Sequence, residues 1–150
     1  MEIGDKVEDF ELFDQHGTPR RLSDSLAKGP VVLFFYPAAM TKGCTAESCH
    51  FRDLGAEFAA LGAQRIGISA DPVDKQRRFS DTYGFDYPLL SDPERATAQR
   101  FGVRRGFGPL PVKRWTFVIS PESVLLAVIK SEINMASHAD RALAALRASR

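Results

Sequence analysis

Cysteine and histidine are scarce in this chain, with two Cys and three His among 150 residues. No Cys-x-x-Cys pair occurs. That excludes paired-cysteine zinc modules and redox sites whose two sulfurs meet within one folded turn. No apolar run approaches the roughly 18 residues that a membrane-spanning helix needs, so no membrane partner is expected. Neither sign of charge is in excess: 20 Lys and Arg against 19 Asp and Glu leave a net +1. Binding to nucleic acid through bulk positive charge is therefore not expected. The opening MEIGDKVEDFELFD is acidic and lacks the basic start and apolar stretch of an export signal. The expected location is the cytoplasm, where thiols are kept reduced and a permanent structural disulfide is not expected. The two cysteines then call for another role, with redox chemistry and metal binding first. The chain shows no internal repeat, low-complexity tract or long linker. Its length predicts one domain over residues 1–150, burying roughly 70% of the unfolded chain's surface.

What is present is an alternation of strands and helices. Residues 8–14 read as a weak strand, followed by a turn at His16–Gly17. Leu22–Lys28 reads as a short helix, with Ser23 or Asp24 near its start. Gly29–Pro30 then releases Val31–Tyr36, a continuous apolar run of the kind buried on both faces of a sheet. Pro37 ends it, and Ala38–Gly43 read as a loop. Phe51, Leu54, Phe58 and Leu61 recur at helical spacing and predict one helix from about Thr45 to Leu61, stopped by Gly62. Arg65–Ala70 is a second buried strand. Asp71 or Asp74 is placed to cap a helix that runs to Tyr83 and ends at Gly84. Tyr87–Leu90 reads as a strand, Pro93–Phe101 as a helix and 102–112 as a loop. Trp115–Ile119 and Val124–Lys130 read as an antiparallel pair, and Ala139–Leu146 as a closing helix. The expected architecture is α/β, with a central mixed sheet flanked by helices: a thioredoxin-like fold with an N-terminal extension.

The chemistry concentrates in FFYPAAMTKGCTAESCHFRD, residues 34–53. A buried strand ends, a loop follows, and Cys44 stands at the start of a long helix. Unpaired N–H groups and a partial positive charge at a helix start favour an anion there, and so the thiolate over the thiol. Cys49 lies five residues on. Ideal helix geometry separates the two Cα atoms by about 8.6 Å, whereas a disulfide needs less than about 7 Å. If the pair acts together, the first turns of the helix must unwind.

Pro37-x-x-x-Thr41-x-x-Cys44 resembles the active-site motif of peroxiredoxins, and PAAMTKGCTAESCHFRD is similar to the bacterioferritin-comigratory, or PrxQ, subfamily. The resemblance extends along nearly the whole chain. Gly4-Asp5-x-Val7-x-Asp9-Phe10 resembles the family's opening. Gly67-Ile68-Ser69-x-Asp71 and Phe85-x-Tyr87-Pro88-Leu89-Leu90-Ser91-Asp92 resemble its middle, and Arg114-x-Thr116-Phe117-Val118-Ile119 its late arginine strand. The resemblance implies a thiol-dependent peroxidase acting on hydrogen peroxide and organic hydroperoxides. Cys44 would attack the O–O bond and become a sulfenic acid. Thr41 would set its hydroxyl between sulfur and peroxide, Arg114 would hold sulfur and oxygen in line, and Pro37 would shield the pocket. Cys49 would be the resolving cysteine, and thioredoxin or a similar dithiol would reduce the resulting Cys44–Cys49 disulfide. No metal and no organic cofactor is implied. Subfamily members are commonly monomers, and two cysteines in one helix need no partner subunit; a weak dimer is the alternative.

Some features depart from the pattern. Trp115 follows Arg114 where the family often has a small or polar residue, Lys113 stands beside Arg114, and Gly106–Pro111 form an unusual loop ahead of the arginine strand. His50, beside Cys49, either modulates that thiol or faces solvent. Three other readings stay open on the residues alone. One is a metal carrier using Cys44, Cys49 and His50. Another is a redox sensor that reacts once and changes partners. The third is a one-cysteine peroxidase with Cys49 purely structural.

Overall fold

The computed structural model describes residues 1–149. In chain order its elements are β1 (Glu11–Phe13), β2 (Pro19–Arg21), α1 (Leu22–Leu26), β3 (Val31–Phe35), α2 (Lys42–Asp53), α3 (Gly55–Ala60), β4 (Gln64–Ser69), α4 (Val73–Tyr83), β5 (Leu89–Ser91), α5 (Ala96–Arg100), β6 (Trp115–Ile119), β7 (Leu125–Lys130) and α6 (Met135–Ala148). The strands form one mixed sheet in the order β2-β1-β5-β4-β3-β6-β7. β3, β4 and β5 run parallel, and every other pairing is antiparallel. This is the expected α/β architecture.

The apolar run at 31–36 behaves as a strand covered on both faces. Val32, Phe34 and Tyr36 belong to the layer packed against α2, α4 and α6, whereas Val31, Leu33 and Phe35 belong to the layer with Leu22, Leu26 and Phe101. Side-chain alternation along a strand makes this division. Phe34 stacks on Phe51 with ring centroids 4.1 Å apart, and Phe51 in turn meets Phe58, so α2 is bolted to the sheet by aromatic rings.

Several elements differ from their expected bounds. The helix predicted from Thr45 to Leu61 starts earlier, at Lys42, and is broken at Leu54 into α2 and α3. Apolar spacing continues across the break and conceals it. Arg65 occupies the corner: it donates to the Phe51 carbonyl at 2.9 Å and pairs with Asp86, and one of its nitrogens lies 3.2 Å from where a Gly55 side chain would begin. The guanidinium thus satisfies one of the carbonyls that the end of α2 leaves free. Asp71 and Asp74 do not cap α4, whose N-cap is Pro72. The Asp71 carboxylate turns toward the loop after β3 instead. Gly84 ends α4 in the left-handed conformation as expected, with φ 65°. The hairpin strand β2 was not anticipated, because PRR is exposed and carries no apolar alternation. α6 begins at Met135, four residues before the expected Ala139, with Asn134 as a true side-chain cap.

Phe51→Ala removes the ring that ties α2 to the sheet. Urea unfolding is expected to show a loss of about 3–5 kcal/mol; a loss below about 1 kcal/mol would show that α2 is held by other contacts.

Candidate active site

The polypeptide leaves β3 through buried Pro37, which has no N–H with which to continue the ladder. The loop that follows is fixed by Asp71. Its Oδ2 accepts from the Ala39 N–H at 2.7 Å and from the Ser69 hydroxyl at 2.7 Å. Met40 is held at φ 68°, a left-handed conformation that a non-glycine residue occupies at some cost. Thr41 is the N-cap residue of α2, yet its hydroxyl caps nothing; it donates to the Ala38 carbonyl at 2.7 Å. The loop therefore ends two residues sooner than its predicted limit at Gly43, and Cys44 lies within the first turn of α2 with its side chain fully buried.

Arg114 reaches Cys44 from the other side of the sheet order. β6 is antiparallel to β3, with Thr116 opposite Phe34, so the residues just before β6 arrive where β3 ends. Arg114 Nη2 donates to Cys44 Sγ at 3.3 Å, and Nη1 donates to Glu47 Oε1 at 2.9 Å. Strand alternation separates the two adjacent cations. Lys113 lies over the Trp115 ring at 4.9 Å, with Lys130 at 4.4 Å, while Arg114 and Thr116 face α2 and α6. Trp115 therefore packs away from the sulfur. Gly43 gives the guanidinium its room: a Cβ there would stand 3.3 Å from Arg114 Nη2.

The loop 102–112 is joined to this cluster through Glu132. Its carboxylate accepts from Arg105 at 2.8 Å and from the backbone N–H of Arg114 at 3.2 Å.

Sequence reasoning did not single out three residues of the site. Glu47, Thr116 and His138 are all fully buried behind Arg114. His138 Nδ1 meets Thr116 Oγ1 at 2.7 Å, Nε2 meets the Ser131 carbonyl at 2.6 Å, and Glu47 Oε2 lies 3.5 Å from Nδ1. Burial pushes the Glu47 carboxyl up to about 8, against the pull of Arg114. Burial also holds the His138 ring below its ordinary value despite the Ser131 carbonyl. Burial lowers Arg114 as well, but Glu47 and then Cys44 more than offset it and raise the guanidinium.

Cys49 is half-buried on α2, packed against the core, and burial pushes its thiol up. Both cysteines are free thiols. The structure separates the three residues of the metal-carrier reading. Cys44 faces Arg114 in the interior, whereas His50 Nε2 meets Asp140 of α6 at 2.8 Å. Among the described residues no group of three His, Cys, Asp or Glu side chains is arranged around a common point.

Comparison with known proteins places these features in a family. The AhpC/TSA family matches residues 3–128. The crystal structure of peroxidoxin BcpB from Mycobacterium tuberculosis superposes with a TM-score of 0.96 at 62% identity, over 100% of this chain and 99% of that one. Peroxiredoxin Bcp of Bacillus subtilis is 38% identical over 98% of this chain and 96% of its own length. A structure of the Xanthomonas campestris bacterioferritin comigratory protein, at 34% identity, has a TM-score of 0.86 and covers 97% of this chain and 99% of that one.

The raised Glu47 carboxyl makes stability depend on pH. The folded protein binds this proton more tightly than the unfolded chain, so the associated stability is complete below about 4.5 and is lost as pH rises through about 8. Glu47→Gln removes the dependence. Urea unfolding of the reduced proteins at pH 5 and pH 8 is expected to show the variant gaining on the wild type by at least about 1 kcal/mol at the higher pH. An unchanged difference would mean that Glu47 is ionised throughout.

Proposed function

Because this chain belongs to the AhpC/TSA family, and within it to the bacterioferritin-comigratory (PrxQ) peroxiredoxins, it is a thiol peroxidase, and we propose that Cys44 is the sulfur that attacks the hydroperoxide. The observation that carries this assignment is the 3.3 Å contact from Arg114 Nη2 to Cys44 Sγ in the first turn of α2. A guanidinium and a helix start together present positive charge to this sulfur, the setting in which a cysteine is reactive. Attack on the near oxygen forms the S–O bond as the O–O bond breaks, giving a sulfenic acid and releasing water or an alcohol.

The geometry of the other residues supports the following roles. Arg114 has a second task, holding the peroxide oxygens in line as charge moves across the O–O bond. The Thr41 hydroxyl already spends its hydrogen on the Ala38 carbonyl. Its lone pairs are then left to accept from the peroxide O–H. Pro37, buried just after β3, shields the sulfur's side of the loop and fixes where the loop begins. The X. campestris relative has alkyl peroxide reduction activity; we extend that substrate class, together with hydrogen peroxide, to this chain.

Cys49 is the resolving residue in this proposal. Its thiol displaces water from the Cys44 sulfenic acid, forming an intramolecular disulfide that thioredoxin or a similar dithiol reduces. α2 is continuous over both cysteines, so resolution requires its first turns to unwind and bring the sulfurs within bonding distance. The cycle needs one subunit, in keeping with a monomer in the reducing cytoplasm. Among the described residues no helix is long and apolar enough to cross a membrane.

Two variants test the proposal. Cys44→Ser is expected to abolish peroxide consumption, since a hydroxyl is far less ionised and less nucleophilic than a thiol; near-normal turnover would refute the assignment. Cys49→Ser is expected to consume one equivalent of peroxide per chain and then stop in a thioredoxin-coupled assay. Sustained cycling without Cys49 would show that resolution takes another route.

A further inference from the structure

Two buried acids face one guanidinium. Cys44 and Glu47 are both fully buried, and Arg114 donates one N–H to each. If both carried charge, two anions would oppose one cation out of reach of solvent, an arrangement that a low-dielectric interior penalises strongly. Glu47 Oε2 has no hydrogen-bond partner among the described residues, so nothing there supports a carboxylate's charge on that atom. The groups around it confirm the bias. From α6, His138 Nε2 faces the Ser131 carbonyl and must carry the hydrogen; Nδ1 is then bare and accepts from the Thr116 hydroxyl of β6. The ring is neutral and brings no positive charge to Oε2, 3.5 Å away. From the segment before α6, the Glu132 carboxylate adds repulsion, and on α2 itself Cys44 is the acid that shares Arg114 with Glu47. Burial pushes the Glu47 carboxyl up to about 8.

We propose that Cys44 and Glu47 share a single negative charge against Arg114, and that oxidation of the sulfur moves this charge onto Glu47. In the reduced protein Cys44 is the thiolate and Glu47 keeps its proton, on Oε2. The first chemical step then balances within the cluster: Cys44–S⁻, Glu47–COOH and ROOH become Cys44–SOH, Glu47–COO⁻ and ROH. Sulfur gives two electrons to the O–O bond, the S–O bond forms, and the carboxyl's proton offsets the one taken up by the departing alkoxide. Once the sulfur is neutral, Arg114 pairs wholly with Glu47. Glu47 does not touch the peroxide; it acts through Arg114 and is a positioning residue. The inference rests on the assignment of Cys44 as the attacked sulfur.

Infrared difference spectroscopy reads the charge directly. The Cys49→Ser protein keeps the sulfenic acid unresolved and α2 folded, so solvent exposure of Glu47 does not intervene. On adding one equivalent of hydrogen peroxide at neutral pH, a buried carboxylic-acid C=O band is expected to disappear and carboxylate bands to grow. The change is expected to be absent when Glu47→Gln is added, and shifted when Glu47→Asp is added. A thiol titre that falls by one per chain with no loss of the acid band, or a loss that persists in the Gln variant, overturns the proposal while leaving Cys44 as the nucleophile. A thiol titre that does not fall removes the Cys44 assignment, and the proposal with it.

Discussion

The Arg114 guanidinium is the interaction on which the site depends, because it is the only group that touches both Cys44 and Glu47 among the bonds described. Three separate parts of the chain must be in register for it to do so. β3 must end before Pro37 so that α2 begins beside the sheet, β6 must run antiparallel to β3 so that its first residues arrive at that end, and Gly43 must leave room for the guanidinium. Glu132 then fixes the backbone of Arg114, and Asp71 fixes the loop that precedes α2. A buried cation with two acids about it is costly to build and is tolerated only when its partners are close and well directed. The stacked rings of Phe34, Phe51 and Phe58 hold α2 and α3 against β3 beside this cluster.

In the proposed resolution by Cys49 the same helix must also come apart. α2 is held at its far end by side chains rather than by length: Arg65 donates to the Phe51 carbonyl, Arg52 to the Tyr83 carbonyl at 2.6 Å, and the Tyr87 hydroxyl to the Ser48 carbonyl at 2.7 Å. These bonds lie beyond Glu47. The first turn has no side-chain cap, and the one side-chain hydrogen bond described between it and the rest of the protein is that from Arg114 to Cys44. Local opening follows the weakest set of contacts, so under the proposal α2 would unwind from Cys44 inward while its C-terminal half stays docked. A Cys44–Cys49 bond at five-residue spacing would call for such a division.

Much of this was legible in the sequence. The Val31–Tyr36 run and the Pro37, Thr41, Cys44 pattern located the strand end, the loop and the helix start. Arg114 was reached through family resemblance alone, since seventy residues separate it from Cys44 and Lys113 beside it has the same charge; strand alternation, visible only in the fold, distinguishes the two. Glu47 and His138 were not legible as site residues. A charged residue on an amphipathic helix ordinarily faces water, and only the packing of α6 over α2 buries these two together. The break at Leu54 escaped notice because apolar periodicity carries through a one-residue corner. The capping roles expected of Asp71 and Asp74 failed for a related reason: propensity identifies a residue that is able to cap, whereas the loop it binds is set by tertiary contact.

The most direct test of the account is to map the first oxidation product. Cys49→Ser protein, treated with one equivalent of hydrogen peroxide in the presence of a sulfenic-acid-trapping reagent, is digested and analysed by mass spectrometry. A single adduct is expected on Cys44, formed in proportion to the peroxide consumed. Peroxide consumed with Cys44 left as a free thiol would contradict it.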